Sequence, residues 1–105
     1  DALNATIRGK GGHAAMPYDA IDPIPVACEA VTAAQAFIAR RTPFFDPAIL
    51  SVTSIHAGTA YNIVPDTVEL KGTLRTLSDE RRVQGKAAFE RIVRHLMNRN
   101  VDRIR

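Results

Sequence analysis

The chain is short of several residue types, and each shortage excludes a class of protein. Its 105 residues include one cysteine, Cys28, and no tryptophan, and aromatic residues make up 6%. A single cysteine cannot build an internal disulfide framework, and it fits a reducing compartment such as the cytoplasm. No apolar run approaches the roughly 20 residues of a membrane span, and no signal-peptide pattern opens the chain. We therefore expect neither a disulfide-rich secreted domain nor a membrane protein.

The remaining composition is that of an ordinary globular domain, with 46% hydrophobic and 24% charged residues. We expect residues 1–105 to form a single domain. The net charge is +3, but the basic residues are concentrated at one end. Residues 91–105 hold five arginines and one aspartate, a net charge of +4, whereas residues 1–90 are close to neutral. The basic character thus belongs to the tail and does not predict a nucleic-acid surface on the body of the domain.

Alternation of apolar and polar residues predicts strands at residues 3–8 and 67–76. Residues 49–57 form a further predicted strand, in which the alternation slips between Val52 and Ile55. The slip indicates either a bulge or a strand that is covered on both faces.

Two helices are predicted from their starting residues. Asp22 and Pro23 are an N-cap and a first helical residue, and this helix extends to about residue 41. Ser78 caps the second helix. Its end is ambiguous, because Met97 continues a helical spacing whereas Asn98 could stop the helix before a short fourth strand.

This order predicts an α+β fold, a two-layer split βαβ (ferredoxin-like) sandwich. We expect an antiparallel sheet of three to four strands with two helices on one face. The second strand lies at an edge of such a sheet, and the face without helices is open.

No metal centre is predicted, because His13, His56 and His95 lack the close spacing of metal ligands. Cys28 lies among alanines in the middle of a predicted helix, so we expect a small buried hydrophobic residue. His13 closes the glycine-rich turn Gly-Gly-His-Ala-Ala. Taken alone it is an exposed loop residue, just as Asn62 taken alone is typical of a turn.

Arg75 lies on the polar face of the strand at residues 67–76, where arginine is usually a solvated charge. Its guanidinium fork also suits a substrate carboxylate.

Four segments together resemble the dimerisation (lid) domain of peptidase family M20, closest to its aminoacylase and hippurate hydrolase branch. They are Gly-Lys-Gly-Gly-His-Ala-Ala-Met-Pro from residue 9, Asp-Pro-Ile from residue 22, Gly-Thr-Ala-Tyr-Asn-Ile-Val-Pro-Asp from residue 58 and Gly-Thr-Leu-Arg-Thr from residue 72. The resemblance covers residues 3 to about 93.

The resemblance implies a two-metal amidohydrolase that cleaves N-acyl amino acids or small peptides. Its two divalent metals, zinc or manganese, would be held by a separate catalytic domain, and this chain would bind none. We therefore expect this chain to be a fragment of a larger enzyme and to be inactive on its own. The match assigns His13 to the partner's active site as an oxyanion donor, Asn62 to substrate contact in the shared site, and Arg75 to the substrate carboxylate.

Family dimers join edge strands into one continuous sheet. The resemblance therefore implies a homodimer through the second-strand edge (residues 49–57) and the first helix (residues 26–38), with small side chains that permit close approach.

Two alternatives come from other classes. The word Ile-Arg-Gly-Lys-Gly-Gly at residues 7–12 is similar to the Gly-x-x-Gly loop of KH domains, which binds single-stranded nucleic acid. That loop joins two helices in KH domains, whereas a predicted strand precedes it here. A free-standing interaction module is the other alternative.

Overall fold

Seven helices and strands are found among the residues that the structure describes. The computed structural model describes residues 1–15, 20–41 and 45–104, and side chains are described as far as Arg99. In chain order the elements are β1 (Ala2–Arg8), β2 (Gly12–His13), α1 (Pro23–Arg41), β3 (Ala48–His56), β4 (Ile63–Val64), β5 (Thr67–Thr76) and α2 (Asp79–Ile104). The main sheet is antiparallel in the order β1-β5-β3, and β2 pairs with β4 in a second, two-stranded sheet. The predicted α+β class is confirmed, with three strands in the main sheet.

Both helices cover one face of the main sheet and leave the other face to solvent. Alternate residues of β5 point into the helix layer and are buried, while Glu69, Lys71 and Arg75 on the opposite face are exposed. The core also takes residues from β1, β3 and both helices: Leu3, Ile7, Val26, Ala27, Ala30, Ala34, Ile38, Leu50, Val68, Leu70, Leu74, Phe89, Val93 and Leu96. The predicted two-layer arrangement with one open face is therefore present.

The two predicted helix starts are confirmed by their capping bonds. The Ile24 N–H donates to Asp22 Oδ1 at 3.0 Å, and the Arg81 N–H donates to Ser78 Oγ at 3.2 Å. Each bond satisfies a backbone donor that has no partner inside the first turn of its helix.

Of the two continuations left open by the sequence, the helical one is observed in the described residues, where α2 continues to Ile104. The helical spacing is maintained by contacts with the rest of the domain. Met97 packs against the core, and Arg99 forms a 2.6 Å ion pair with Glu29 of α1. These contacts outweigh the tendency of Asn98 to end the helix.

The slip in the alternation of the second predicted strand corresponds to a bulge. The register between β3 and β5 shifts between Val52 and Ser54. Of the two explanations left open by the sequence, the bulge is the one observed.

The prediction of a buried Cys28 is wrong, because its side chain is exposed. Ala27, Ala30 and Ala34 form the buried face of α1 and turn Cys28 away from the sheet. Within the described part of the chain, neither helix combines the length and apolarity that a bilayer crossing requires.

Substituting Gly72→Ala is expected to destabilise the domain by about 2 kcal/mol or more. A Cβ at this position would collide with the carbonyl oxygen of Ser51 and would lie 3.0 Å from Val52 Cα, so the bulged backbone would have to move. Urea unfolding provides the measurement. The neighbouring, exposed Thr73→Ala is the control, with an expected change within about 1 kcal/mol. Equal unfolding midpoints for Gly72→Ala and the unsubstituted chain would contradict this account.

Candidate functional site

The β2–β4 hairpin brings two of the three predicted site residues together. His13 pairs with Ile63, and the Ala14 N–H donates to the Asn62 carbonyl at 3.0 Å. The backbones of His13 and Asn62 are therefore adjacent at one end of the domain, although the two residues are 49 positions apart in sequence. The glycine-rich segment holds a short strand, which its composition did not predict. Met16 and Pro17 of the same motif lie outside the described residues.

Asp66 fixes the glycine-rich segment beside β5. Its carboxylate accepts a hydrogen bond from the Gly11 N–H at 2.7 Å, and its carbonyl accepts one from the Gly9 N–H at 2.8 Å. A Cβ on Gly11 would lie 2.6 Å from the Val64 carbonyl oxygen, so only glycine fits this close approach. Asp66 is a positioning residue that was absent from the predicted site, although it ends the Val-Pro-Asp word of its motif.

The His13 imidazole is exposed and has a defined hydrogen-bonding arrangement. Its Nδ1 accepts a hydrogen bond from the Ala15 N–H at 3.1 Å. An Nδ1 that accepts leaves the proton of the neutral ring on Nε2. His13 therefore presents an N–H donor at the tip of the hairpin.

Arg75 lies at the opposite end of the sheet. It pairs with Ile49 and is exposed on the open face of β5. Eight residues of extended strand separate Arg75 from Thr67, where β5 begins next to the hairpin, a distance of about 26 Å. Within one chain, Arg75 is therefore far from His13 and Asn62.

Two further polar residues share the open face and were not predicted as site residues. His56 and Glu69 are register partners across β3 and β5. They line a cleft of about 630 Å³ that is bounded on the other side by Gly12 and Ile63 of the hairpin. The alternation of β5 placed Glu69 on this face, but the sequence carried no signal that His56 would lie opposite it. No cluster of three or more potential metal ligands exists among the residues that the structure describes.

The Gly-Lys-Gly-Gly segment joins two strands, β1 and β2. It therefore lacks the helix–loop–helix setting of the KH-like alternative.

Comparison with known proteins identifies the family. The peptidase dimerisation domain family of M20 matches residues 2–101. An N-acyl-L-amino acid amidohydrolase from Geobacillus stearothermophilus is 43% identical over 94 residues, which are 90% of this chain and 25% of that protein. Thermostable carboxypeptidase 1 from Saccharolobus solfataricus is 40% identical over 89% of this chain and 24% of its own length. This chain thus spans about a quarter of these relatives.

A solved structure supports the same assignment. A dinuclear metal binding peptidase of the M20 family from Bacillus subtilis superimposes with a TM-score of 0.68 and 27% identity, over 92% of this chain and 21% of that one. The family match covers nearly the whole chain, and the order of strands and helices agrees with the fold that the resemblance implied. The chain therefore belongs to the peptidase dimerisation domain family of the M20 hydrolases.

Proposed function

We propose that this chain is the dimerisation and substrate-capping domain of a two-metal amidohydrolase that cleaves N-acyl amino acids or related amides. The observation that carries the proposal is the distribution of the three site residues. An exposed donor, His13, lies beside Asn62 at one end of the domain, and Arg75 lies on the open face at the other end. The relatives named as an amidohydrolase and a carboxypeptidase support the substrate class.

The separation of about 26 Å along the strand has a direct consequence for a dimer. A small N-acyl amino acid cannot reach Arg75 and His13 of the same chain. A shared site therefore combines Arg75 of one protomer with His13 and Asn62 of its partner. Arg75 binds the substrate carboxylate in a bidentate manner, and the His13 Nε2–H donates to the oxygen that becomes negatively charged.

The two divalent metals, zinc or manganese, belong in this proposal to a separate catalytic domain, and when bound they supply the activated water. The residues of this chain hold and orient the substrate. The single cysteine supports a cytoplasmic location. A free-standing interaction module is the competing function, and an adjoining catalytic domain in the same coding sequence would rule it out.

Mixed dimers test whether the site is shared between protomers. In the enzyme that contains this domain, His13→Ala is expected to lower kcat about 10²- to 10³-fold because one oxyanion donor is lost. Arg75→Gln is expected to raise KM. When the two variants are co-expressed in equal amounts, about half of the dimers are mixed, and each mixed dimer has one intact site. At substrate concentrations well below KM, where both single variants turn over slowly, the expected rate is therefore about a quarter of that of the unsubstituted enzyme.

The same experiment distinguishes the opposite arrangement. If His13 and Arg75 of one chain served one site, every site in a mixed dimer would lack one of the two residues. No rate would be recovered on mixing, and the shared site would be refuted. Mixing His13→Ala with itself is the matched control, with no recovery in either arrangement.

The 105-residue chain alone is expected to show no turnover of N-acetyl amino acids, with or without added zinc or manganese. A single positioned donor supplies about 10²- to 10³-fold of acceleration, whereas enzymes typically reach 10⁶-fold or more. Release of acetate from an N-acetyl amino acid, followed by a coupled assay, provides the measurement. Turnover that purifies with the chain and is lost in His13→Ala would contradict the proposed division of labour.

A further inference from the structure

The free edge of β3 has an orientation that the backbone bonds of β5 determine. Leu74 exchanges two hydrogen bonds with Asp1, of 2.8 and 3.0 Å, so even-numbered residues of β5 direct their N–H and C=O groups towards β1. Leu50 pairs with Leu74 in register, and Val52 pairs with Gly72. The backbone groups of Leu50 and Val52 therefore point away from β5, towards the outer edge.

The bulge divides this edge into two halves. The register leaves Thr53 without a partner on β5, and the next paired residue whose backbone groups point outwards is Ile55, which lies opposite Leu70. The spacing is three residues, whereas a regular strand presents outward groups at every second residue. A regular partner strand can therefore pair with residues 48–52 or with residues 54–57, but not with both.

In the first half of the edge, one outward carbonyl already has a hydrogen-bond partner from α1. Gln35 Nε2 donates a hydrogen bond to the outward carbonyl of Leu50 at 2.9 Å. A strand that paired with residues 48–52 would have to displace this amide, and it would exchange one hydrogen bond for another. Gln35 thus protects this half of the edge.

The second half is open and apolar. Ile55 points towards the helix layer, as does its register partner Leu70, yet Ile55 is 53% exposed while Leu70 is 1% exposed. In the described residues, no side chain donates to the outward carbonyl of Ile55. A large apolar side chain and unpaired backbone groups at the same position are the features of a strand that pairs with another chain.

We propose that two copies of this chain pair through residues 54–57, about a two-fold axis near His56, and not through residues 48–52. The inference rests on the dimer of the proposed function and specifies its register. The axis reverses the strand direction between protomers. Because the hairpin lies beyond the His56 end of β3 and Arg75 lies at its Ile49 end, this register places the partner's hairpin on the Arg75 side.

Cross-linking between single cysteines tests the register in the 105-residue chain. Ile55→Cys and Ile49→Cys are each introduced with Cys28→Ser, so that one thiol remains. A short bismaleimide is expected to join two Ile55→Cys chains at least tenfold faster than two Ile49→Cys chains. In the proposed register the two copies of position 49 are about 46 Å apart, whereas an axis at Leu50 would separate the two copies of position 55 by about 33 Å.

Dimer dissociation constants from sedimentation supply a second measurement. Ile55→Lys is expected to weaken the dimer at least tenfold, because each dimer loses two apolar side chains from its interface. Ile49→Lys is the matched control, since Ile49 is similarly exposed on the same strand. Gln35→Ala tests whether residues 48–52 of the β3 edge contribute to the dimer. Both variants are expected to have a dimer dissociation constant within threefold of that of the unsubstituted chain.

The outcomes separate this inference from the proposed function. If the unsubstituted chain dimerises but Ile49→Cys cross-links as fast as Ile55→Cys, or Ile49→Lys is the substitution that weakens the dimer, the register is wrong and the dimer stands. If the unsubstituted chain stays monomeric at millimolar concentration, both the register and the dimer are overturned.

Discussion

The central strand β5 connects every layer of this domain. Its even-numbered residues share backbone hydrogen bonds with β1 and its odd-numbered residues with β3, so both outer strands depend on its register. The same alternation places Val68, Leu70 and Leu74 in the core and Arg75 on the open face. A shift of β5 by one residue would exchange the two faces, and the core and the candidate site would be lost together.

The candidate site is divided because β5 is long relative to any small substrate. The β2–β4 hairpin carries His13 and Asn62 beyond one end of the sheet, and Arg75 lies at the other. In the proposed function, each protomer of this shape would supply two half-sites and no complete one. Its contribution to an active site would then depend on where a second protomer lies, so that self-association and substrate binding would require the same arrangement of the two chains.

The features predicted correctly from sequence are those that local patterns determine. The alternation at residues 67–76 and the caps at Asp22 and Ser78 each reflect a few neighbouring residues, whereas the slip before Ile55 left two explanations open, of which the bulge is observed. The features that were missed depend on distant partners. The strand at Gly12–His13 requires Ile63–Val64 and the Asp66 carboxylate, some 50 residues away. The continuation of α2 past Asn98 is accompanied by the packing of Met97 on the core and by the ion pair of Arg99 with Glu29.

The two edge strands of the main sheet, β1 and β3, differ in the residues that they expose and in their receptiveness to another strand. On β1, the residues whose backbone groups point outwards include Asn4, Thr6 and Arg8, all exposed and polar, and the Arg8 N–H donates to Met97 Sδ of α2 at 3.4 Å. A sheet with two receptive edges can add protomers at both and grow into a filament. With one receptive edge, growth ends once two protomers have paired. Because Met97 accepts a hydrogen bond from an outward N–H group of β1, it makes this edge less receptive to another strand and favours an assembly of two protomers.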